Sequence, residues 1–240
     1  FSGGAIMTLG ALVSIYFASN HAHDGVAFLV INVIVCMVLS LLVAVFYTFG
    51  KIPIIICTVG AAIFFESLTL IFNGGQGATI SNDAALNFLG KKMGPSLVLV
   101  CISAVIYFVY HNLTRAGKQS DLLANNQLAA VNIGIHEKRN VIGSFLVSGA
   151  LYGIASVVFA SQSFQIDVVT SVLGTVSTAF GAMLPVFMGF YIGSFSTGAV
   201  GILFSSLTVG ILDYGIKVIA PTGYAGAFKN VVMALFMVFF

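Results

Sequence analysis

Two carboxylates stand within long apolar stretches of the sequence, Glu66 in residues 54–72 and Asp213 in residues 199–218. A charge inside a bilayer costs roughly 2.5 to 3.5 kcal/mol on insertion scales, so such a residue turns towards a polar pathway or a partner. Here the carboxylates could carry protons or cations, or hydrogen-bond a polar solute. The alternative is a structural charge, paired or at the interface, and Lys217 follows Asp213 by one helical turn. Both residues are candidates for a translocation pathway.

Two uncharged positions join them as candidates. Asn32 is a polar side chain within the apolar residues 26–47, where it could contact a solute or form a hydrogen bond between helices. Pro185 interrupts the apolar residues 168–191 and removes a helical hydrogen bond. Such a break is tolerated where protein or a cavity covers the freed backbone, so it indicates either a pathway element or a simple kink.

Residue types that support catalysis or metal binding do not form a complete set. His21 and His23 stand beside Asp24 but lack a further ligand at useful spacing, and the three cysteines lie in apolar runs without a Cys-x-x-Cys pair. The Gly-Lys steps lack the upstream Gly and the following Ser or Thr of a phosphate-binding loop. We therefore predict no catalytic residue, metal or cofactor, and an intramembrane enzyme is the least favoured class. If ATP drives this protein, another subunit binds it.

Composition decides the broad class. The chain is 240 residues long, 59% hydrophobic and 7% charged, against about 25% charged residues in ordinary soluble domains. Too few charges remain to build a water-facing surface, so we predict a polytopic membrane protein embedded in the lipid bilayer. The net charge of +2 and the scattered basic residues indicate no nucleic-acid partner.

Stretches of about 20 apolar residues cross a bilayer as helices. The sequence contains eight such stretches: residues 3–19, 26–47, 54–72, 96–113, 141–161, 168–191, 199–218 and 226–240. Small residues four apart predict close helix packing. These pairs are Gly149 with Gly153, Gly189 with Gly193, and Ser206 with Gly210. A longer connection, residues 73–95, is rich in Gly, Asn and Ser, with a short helix expected around residues 83–89.

The most polar segment is the loop at residues 114–140, which holds four of the nine Lys and Arg residues. Counted over alternate faces, five basic residues stand against four, a weak bias by the positive-inside rule. The loop itself favours a cytoplasmic location. Because the chain starts at Phe1 without an initiator Met and stops within an apolar run, we expect further spans beyond both ends.

The loop also carries a resemblance. Thr114-Arg115, Gly117-Lys118, Asn126, Ala129-Ala130, Gly134-Ile135, Phe145, Ser148-Gly149 and Gly153 follow one another in an order that resembles the permease subunits of bacterial ABC importers for ribose and related monosaccharides, in the branched-chain amino acid and ribose permease superfamily. Ser2 with Gly4, Ile52-Pro53 with Ile56, Thr58 and Gly60, and the block 185–215 with Gly189 and Gly201 are similar to further motifs of that family.

The resemblance implies an all-α polytopic transmembrane helical bundle, a ten-span permease of which about eight spans are present here. Residues 1–240 would form a single permease domain in the bacterial cytoplasmic (inner) membrane, truncated at both ends. Its partners would be ABC ATPase subunits, an extracytoplasmic solute-binding protein and a second permease copy, identical or not. Residues 114–140 would be the ATPase-coupling loop, with a helix around residues 122–131. Its coupling residues would be Arg115, Lys118, Asn126, Ala129, Ala130, Gly134 and Ile135.

Departures from the family pattern bear on the solute. Ala124-Asn125 replaces the usual Gly-Gly of the loop, and Phe190 follows Gly189. Glu66 stands where the family often has Arg, and Asp213 where it often has Asn. A ribose-like monosaccharide leads, with nucleosides, other monosaccharides and signalling furanosides open, because exchanging a cation for a carboxylate changes which solutes a pathway stabilises. The alternative function is an ion-coupled secondary transporter that uses Glu66 and Asp213.

Overall fold

The computed structural model describes residues 1–21, 24–50, 52–80, 88–90, 92–163, 165–195, 197–219, 231 and 234–235. Over these residues the protein is almost entirely helical, which confirms the predicted all-α class. The helices are α1 (Gly3–His21), α2 (Gly25–Gly50), α3 (Ile54–Ile71), α4 (Met93–Phe108), α5 (Arg115–Asn125), α6 (Gln127–Asn132), α7 (Glu137–Ser163), α8 (Val176–Gly193) and α9 (Gly198–Ile219). A 3-10 turn (Phe72–Gly75) follows α3, a π-helical turn (Val109–Leu113) continues α4, and two short strands, β1 (Ala78–Thr79) and β2 (Gln165–Ile166), pair antiparallel.

Among the described residues, six helices are long and apolar enough to cross a membrane, and α1 is a shorter apolar helix. The six are α2, α3, α4 with its π turn, α7, α8 and α9. The chain is therefore a multi-pass membrane protein, and seven of the predicted spans correspond to helices. The eighth, at residues 226–240, lies almost wholly outside the described residues, as does most of the short helix expected at residues 83–89.

Two helix starts differ from the predicted ones. The helix expected from residue 141 begins at Glu137. Its first turn carries charged residues, so the apolar stretch of the sequence marks only the later part of the helix. The helix expected from residue 168 begins only at Val176. There, Leu173 has a φ of 61°, a left-handed conformation that a helix cannot include.

The unit Phe1–Ala179 is built around α1, α2, α3 and α7. One cluster of buried apolar side chains joins α1, α2 and α7 with Leu99 of α4 and the strand residues Ile80 and Ile166. A second joins α1, α2 and α3. Since α1 and α2 contribute to both clusters, they form the centre of this unit.

Helices α2 and α7 approach closely through glycine. A Cβ built on Gly153 would lie 2.6 Å from the Cα of Val33, and one on Gly149 would lie 2.9 Å from the Cα of Met37. The predicted small-residue packing is therefore confirmed at this pair. Asn32 lies in the same layer, 0% exposed; its Nδ2 donates to the Gly153 carbonyl at 2.8 Å, and its Oδ1 accepts from the Ser14 hydroxyl at 3.1 Å.

This unit has two sides, and on each of them segments that are distant in the sequence lie next to one another. On one side, which we call the loop face, the α2–α3 connection and the start of α7 line a common cavity, and Lys138 Nζ lies 5.8 Å from the ring centroid of Phe49. On the other side, the strand face, Ala78 and Thr79 pair with Ile166 and Gln165.

The second unit, Phe180–Phe240, contains most of α8 and all of α9. These helices also meet through glycine, since a Cβ on Gly189 would lie 2.7 Å from the Cα of Ile202 and one on Gly193 would lie 2.9 Å from the Cα of Gly198. The pair predicted at Gly189 and Gly193 is confirmed. By contrast, a Cβ on Gly210 would meet nothing within 4 Å among the described residues, so the packing expected there is not observed.

Candidate functional site

The loop-face segment after α4 folds into two short helices rather than one. Thr114 caps the first, α5: its Oγ1 accepts from the Gly117 N–H at 3.1 Å and donates to the Tyr110 carbonyl at 2.5 Å. A Cβ on Gly117 would overlap the Tyr110 carbonyl and lie 2.9 Å from the Cα of His111. Glycine at this position therefore allows α5 to fold back against the π turn.

A set of polar side chains ties α5 to α7. The side-chain amide of Asn140 lies 2.8 Å from Ser120 Oγ; with its nitrogen turned to donate to the Ala116 carbonyl at 3.0 Å, its oxygen accepts from the Ser120 hydroxyl. Ser144 Oγ donates to the Asn140 carbonyl at 3.0 Å, and lies 3.1 Å from Ser120 Oγ and 2.8 Å from Tyr110 Oη. Hydrogen-bonded networks of this kind hold elements rigidly together. We call these residues the loop network.

The chain breaks at Asn126, which has an extended backbone (φ −155°, ψ 97°) and ends α5. Its carbonyl accepts from the Ala130 N–H at 3.0 Å, so the same residue opens α6. A single helix across residues 122–131 was expected, and that expectation is wrong. The physical reason is that an extended residue interrupts the helical hydrogen-bond series.

Helix α6 ends in a Schellman motif centred on Gly134. The Gly134 N–H donates to the Val131 carbonyl at 2.9 Å, and the Ile135 N–H donates to the Ala130 carbonyl at 3.2 Å. Gly134 has a φ of 94°, a conformation that glycine adopts without steric cost. The Gly134-Ile135 step therefore reverses the chain between α6 and α7.

The predicted coupling residues differ in exposure. Arg115, Lys118, Asn126 and Gly134 are exposed, Ile135 is partly buried and Ala130 is 2% exposed. The side chain of Ala129 lies outside the described part of the structure. Large apolar side chains are also exposed here: Leu122 at 52%, Val131 at 45% and Ile133 at 78%. We call these three residues the apolar patch.

Such a patch on a segment that also carries charges is unusual for a surface that meets only water, and it typically marks a protein-binding site. Leu122 lies on α5, which the loop network joins to α7, while Val131 of α6 and Ile133 lie just before the turn that leads into α7. A force on the patch would therefore act on a membrane-spanning helix. The loop network was not predicted from the sequence. Its only sequence signal is the set of polar residues Ser120, Asn140 and Ser144 at the edge of an apolar span.

Glu66 lies on α3 towards the strand face and is 3% exposed. Its Oε2 accepts from the Leu173 N–H at 2.7 Å, and its Oε1 accepts from the Thr175 N–H at 2.9 Å and the Thr175 hydroxyl at 2.5 Å. One turn on, Thr69 Oγ1 accepts from the Val169 N–H at 3.3 Å. The carboxylate thus holds the turn before α8, close to the helix N-terminus, where a negative charge is favourable.

Among the described residues, the two candidate pathway residues of the first unit, Asn32 and Glu66, have no hydrogen-bond partner in common. Asn32 joins α1, α2 and α7, and Glu66 anchors the turn before α8. Pro185 and Asp213 belong to the second unit, where the Pro185 carbonyl accepts from the Ser205 hydroxyl at 2.5 Å. Asp213 is partly buried on α9, and the side chain of its expected partner, Lys217, is outside the described residues.

No group of three or more His, Cys, Asp or Glu side chains that could hold a metal ion occurs among the described residues, which exclude His23 and the side chain of His21. Comparisons of the chain with protein-family models, with curated proteins and with solved structures found no match.

Proposed function

We propose that this chain is the membrane-spanning permease subunit of an ATP-driven importer in the bacterial cytoplasmic membrane, and that it moves a small polar solute without chemical change. The observation that carries the proposal is the exposed apolar patch of Leu122, Val131 and Ile133, on a segment that the loop network and the turn at Gly134 connect to the spanning helix α7. The resemblance of residues 114–153 to monosaccharide permeases of ABC importers supports the same assignment.

In this proposal an ATPase subunit docks on the apolar patch, with Arg115 and Lys118 beside it. Closure of the ATPases on ATP would displace α5 and α6 together, because the loop network and the Schellman turn at Gly134 leave them little freedom relative to α7. Helix α7 would then shift against α2 along the glycine contacts at Gly149 and Gly153. Rigid displacement of packed helices is a common way to switch between two states.

The ion-coupled alternative is less well supported. It requires Glu66 to take up and release a proton or cation during transport. Both oxygens of Glu66 already accept hydrogen bonds from Leu173 and Thr175, and these bonds tie the carboxylate to the turn before α8. We therefore assign Glu66 a structural role, as the anchor of the turn before α8.

The test uses two matched substitutions on opposite faces. Ile133→Glu places a charge in the apolar patch, where Ile133 is 78% exposed, and Val172→Glu makes the same kind of change on the strand face, where Val172 is 75% exposed. We expect Ile133→Glu to abolish co-purification of an ATP-hydrolysing subunit with the full-length protein and to abolish uptake of labelled D-ribose or uridine. Val172→Glu should retain the ATPase. Both variants should reach the membrane, because neither side chain is buried.

Ala130→Arg is a poor probe of docking, since Ala130 is buried and the variant would disturb the fold itself. Wild-type levels of ATPase binding in Ile133→Glu would refute the docking site. Solute uptake driven by an ion gradient, in vesicles that contain this protein and no ATPase, would replace the proposal with the secondary-transporter alternative.

A further inference from the structure

A cavity of about 470 Å³ lies at the loop face, where α2 ends and where α3 and α7 begin. We call it the interface cavity. None of its lining residues belongs to the apolar patch or to the loop network. The described residues that line it are the hydroxyl-bearing Tyr47 and Thr48, the charged Glu137 and Lys138, and the apolar Ile52, Pro53, Ile54 and Val141.

The ends of two spanning helices set the depth of this cavity. Helix α2 ends at Gly50 and α3 begins at Ile54, and both helices are long and apolar enough to cross a membrane. A short connection between two successive spans lies at the membrane surface, where headgroups flank the hydrocarbon core. Next to the lining residues in sequence, Phe49, Ile55 and Ile56 are 70%, 61% and 62% exposed. The interface cavity therefore lies at headgroup level, beside apolar side chains that acyl chains can cover.

Hydrogen-bond donors converge on the cavity from two elements. The buried Thr48 Oγ1, near the end of α2, has no hydrogen-bond partner among the described residues, which costs free energy unless water or a ligand satisfies it. Lys138 lies in the first turn of α7, and its ammonium, 5.8 Å from the ring centroid of Phe49, is held beside the end of α2. The first N–H groups of a helix have no partner within that helix, so this end of α7 also favours a negative charge. A hydroxyl, an ammonium and helix amides together suit a phosphate group.

The cavity wall also contains a carboxylate, that of Glu137. A carboxylate only accepts hydrogen bonds, and it repels a headgroup whose charge is purely negative. It has about four lone-pair sites, so Glu137 can accept from a ligand in addition to its contact within the protein. Because Glu137 and Lys138 are adjacent, a ligand that carries both an ammonium and a phosphate meets an opposite charge at each end. A quaternary ammonium would gain less, since it has no N–H to donate.

We infer that the interface cavity is a binding site for a phospholipid with a primary ammonium, phosphatidylethanolamine. Its phosphate would contact Lys138 and Thr48, and its ammonium would contact Glu137. Since liquid water takes about 30 Å³ per molecule, the cavity has room for roughly 15 waters, enough space for a phosphoethanolamine group. The bound lipid would join the α2–α3 connection to the start of α7. This inference goes beyond the proposed function and holds whether or not the protein is an importer.

The first test compares headgroups on identical acyl chains. The purified full-length protein is stripped of lipid in detergent and titrated with dioleoyl phosphatidylethanolamine, phosphatidylcholine or phosphatidylglycerol, and native mass spectrometry gives the dissociation constant of each. We expect phosphatidylethanolamine to bind about tenfold more tightly than phosphatidylcholine, because only its ammonium donates to Glu137. Phosphatidylglycerol should also bind more weakly. Water-soluble glycerophosphoethanolamine, which has no acyl chains, should not compete at equal concentration.

The second test compares two adjacent cations. Lys138→Gln removes the ammonium from the cavity, and Arg139→Gln makes the same change in charge at an exposed residue that does not line the cavity. Lys138→Gln should weaken phosphatidylethanolamine binding by about tenfold, the effect of losing one charged hydrogen bond. Arg139→Gln should leave it unchanged. Melting temperatures in lipid-free detergent check that both variants are folded.

The third test separates the two ends of the headgroup. Glu137→Gln should abolish the preference for phosphatidylethanolamine over phosphatidylcholine, because the amide oxygen carries no charge to attract the ammonium. Thr48→Val deletes the hydroxyl and keeps the branched shape of the side chain. It should weaken both lipids by about fivefold, since both present a phosphate.

Equal wild-type affinities for the three lipids, or equal losses in Lys138→Gln and Arg139→Gln, would overturn the inferred site. Tighter binding of phosphatidylglycerol would overturn the assigned headgroup. Competition by glycerophosphoethanolamine at equal concentration would overturn the lipid assignment, because the cavity would then accept a soluble ligand. No arm of these tests contains an ATPase or a transported solute, so the lipid site and the docking site at Ile133 stand or fall separately.

Discussion

Single residues in this protein hold segments together that the chain places far apart. Glu66 shows this most directly, because one buried carboxylate accepts three hydrogen bonds from Leu173 and Thr175. These bonds stabilise the left-handed backbone of Leu173, which costs about 1 to 2 kcal/mol for a residue with a side chain. The turn before α8 therefore depends on Glu66 more than on its own sequence.

We predict that Glu66→Gln lowers the free energy of unfolding in detergent by about 1 to 3 kcal/mol, because one side-chain N–H₂ group would face backbone donors and leave buried groups without acceptors. Thermal denaturation of the purified protein measures the loss. Asp24→Asn is the matched control: this exposed side chain accepts from the Val26 N–H at 3.4 Å, and Asn caps a helix as well as Asp does. Equal melting temperatures for Glu66→Gln and Asp24→Asn would contradict the assigned role.

At the scale of the element, α7 is the helix on which the others converge. It packs on α2 through Gly149 and Gly153, contacts α5 through Asn140 and Ser144, and lines a cavity of about 260 Å³ with Ser148. Its 27 residues extend for about 40 Å at 1.5 Å per residue, more than the roughly 30 Å hydrocarbon core of a bilayer. The charged first turn can therefore stand outside the membrane while Ser148 lies within it.

Two glycines of α7 give a sharp comparison. Gly153→Ala places a methyl group within 2.6 Å of the Val33 Cα, so the backbones of α2 and α7 must separate, at a cost of about 1 to 3 kcal/mol. Gly143→Ala meets nothing within 4 Å in the described structure and should stabilise the helix by about 0.5 to 1 kcal/mol. Melting temperatures of the two variants should move in opposite directions. A shift of the same sign in both would show that the α2–α7 contact does not depend on glycine.

At the scale of the whole chain, the first unit has two distinct faces. The loop face carries α5 and α6 with the apolar patch, and the strand face carries the β1–β2 pair and the turn held by Glu66. One long helix, α7, connects the loop at residues 114–136 to the turn at residues 167–175, so the chain crosses the membrane once between the two segments. The two segments must therefore face opposite sides of the membrane.

We predict that single cysteines on the two segments react with a membrane-impermeant maleimide from opposite sides. With the exposed thiol of Cys101 removed by Cys101→Ser, Lys118→Cys should label only in inside-out vesicles and Val172→Cys only in right-side-out vesicles, since both positions are exposed. Gel-shift or mass spectrometry of the labelled protein gives the result. Labelling of both cysteines from one side would show that α7 does not span the bilayer.

The sequence by itself determined the membrane class, seven of the helices, the start of the polar loop and the close contact at Gly149 and Gly153. These features depend on local properties: runs without charge, a cluster of polar and basic residues, and small residues one turn apart. The helix break at Asn126 and the late start of α8 were not predicted, because each reflects a backbone conformation that its neighbours in sequence do not require.

Only the tertiary structure decided what the polar residues do. Glu66 meets Leu173 across 107 positions, and Asn32 meets Gly153 across 121, so neither partner is visible in a local pattern. The loop network is the strongest case, since Tyr110, Ser120, Asn140 and Ser144 come from the π turn, α5 and α7, and each alone resembles an ordinary polar residue at the end of a membrane helix. Such a network exists only once packing brings these side chains together, because hydrogen bonds act over about 3 Å in space and take no account of distance along the chain.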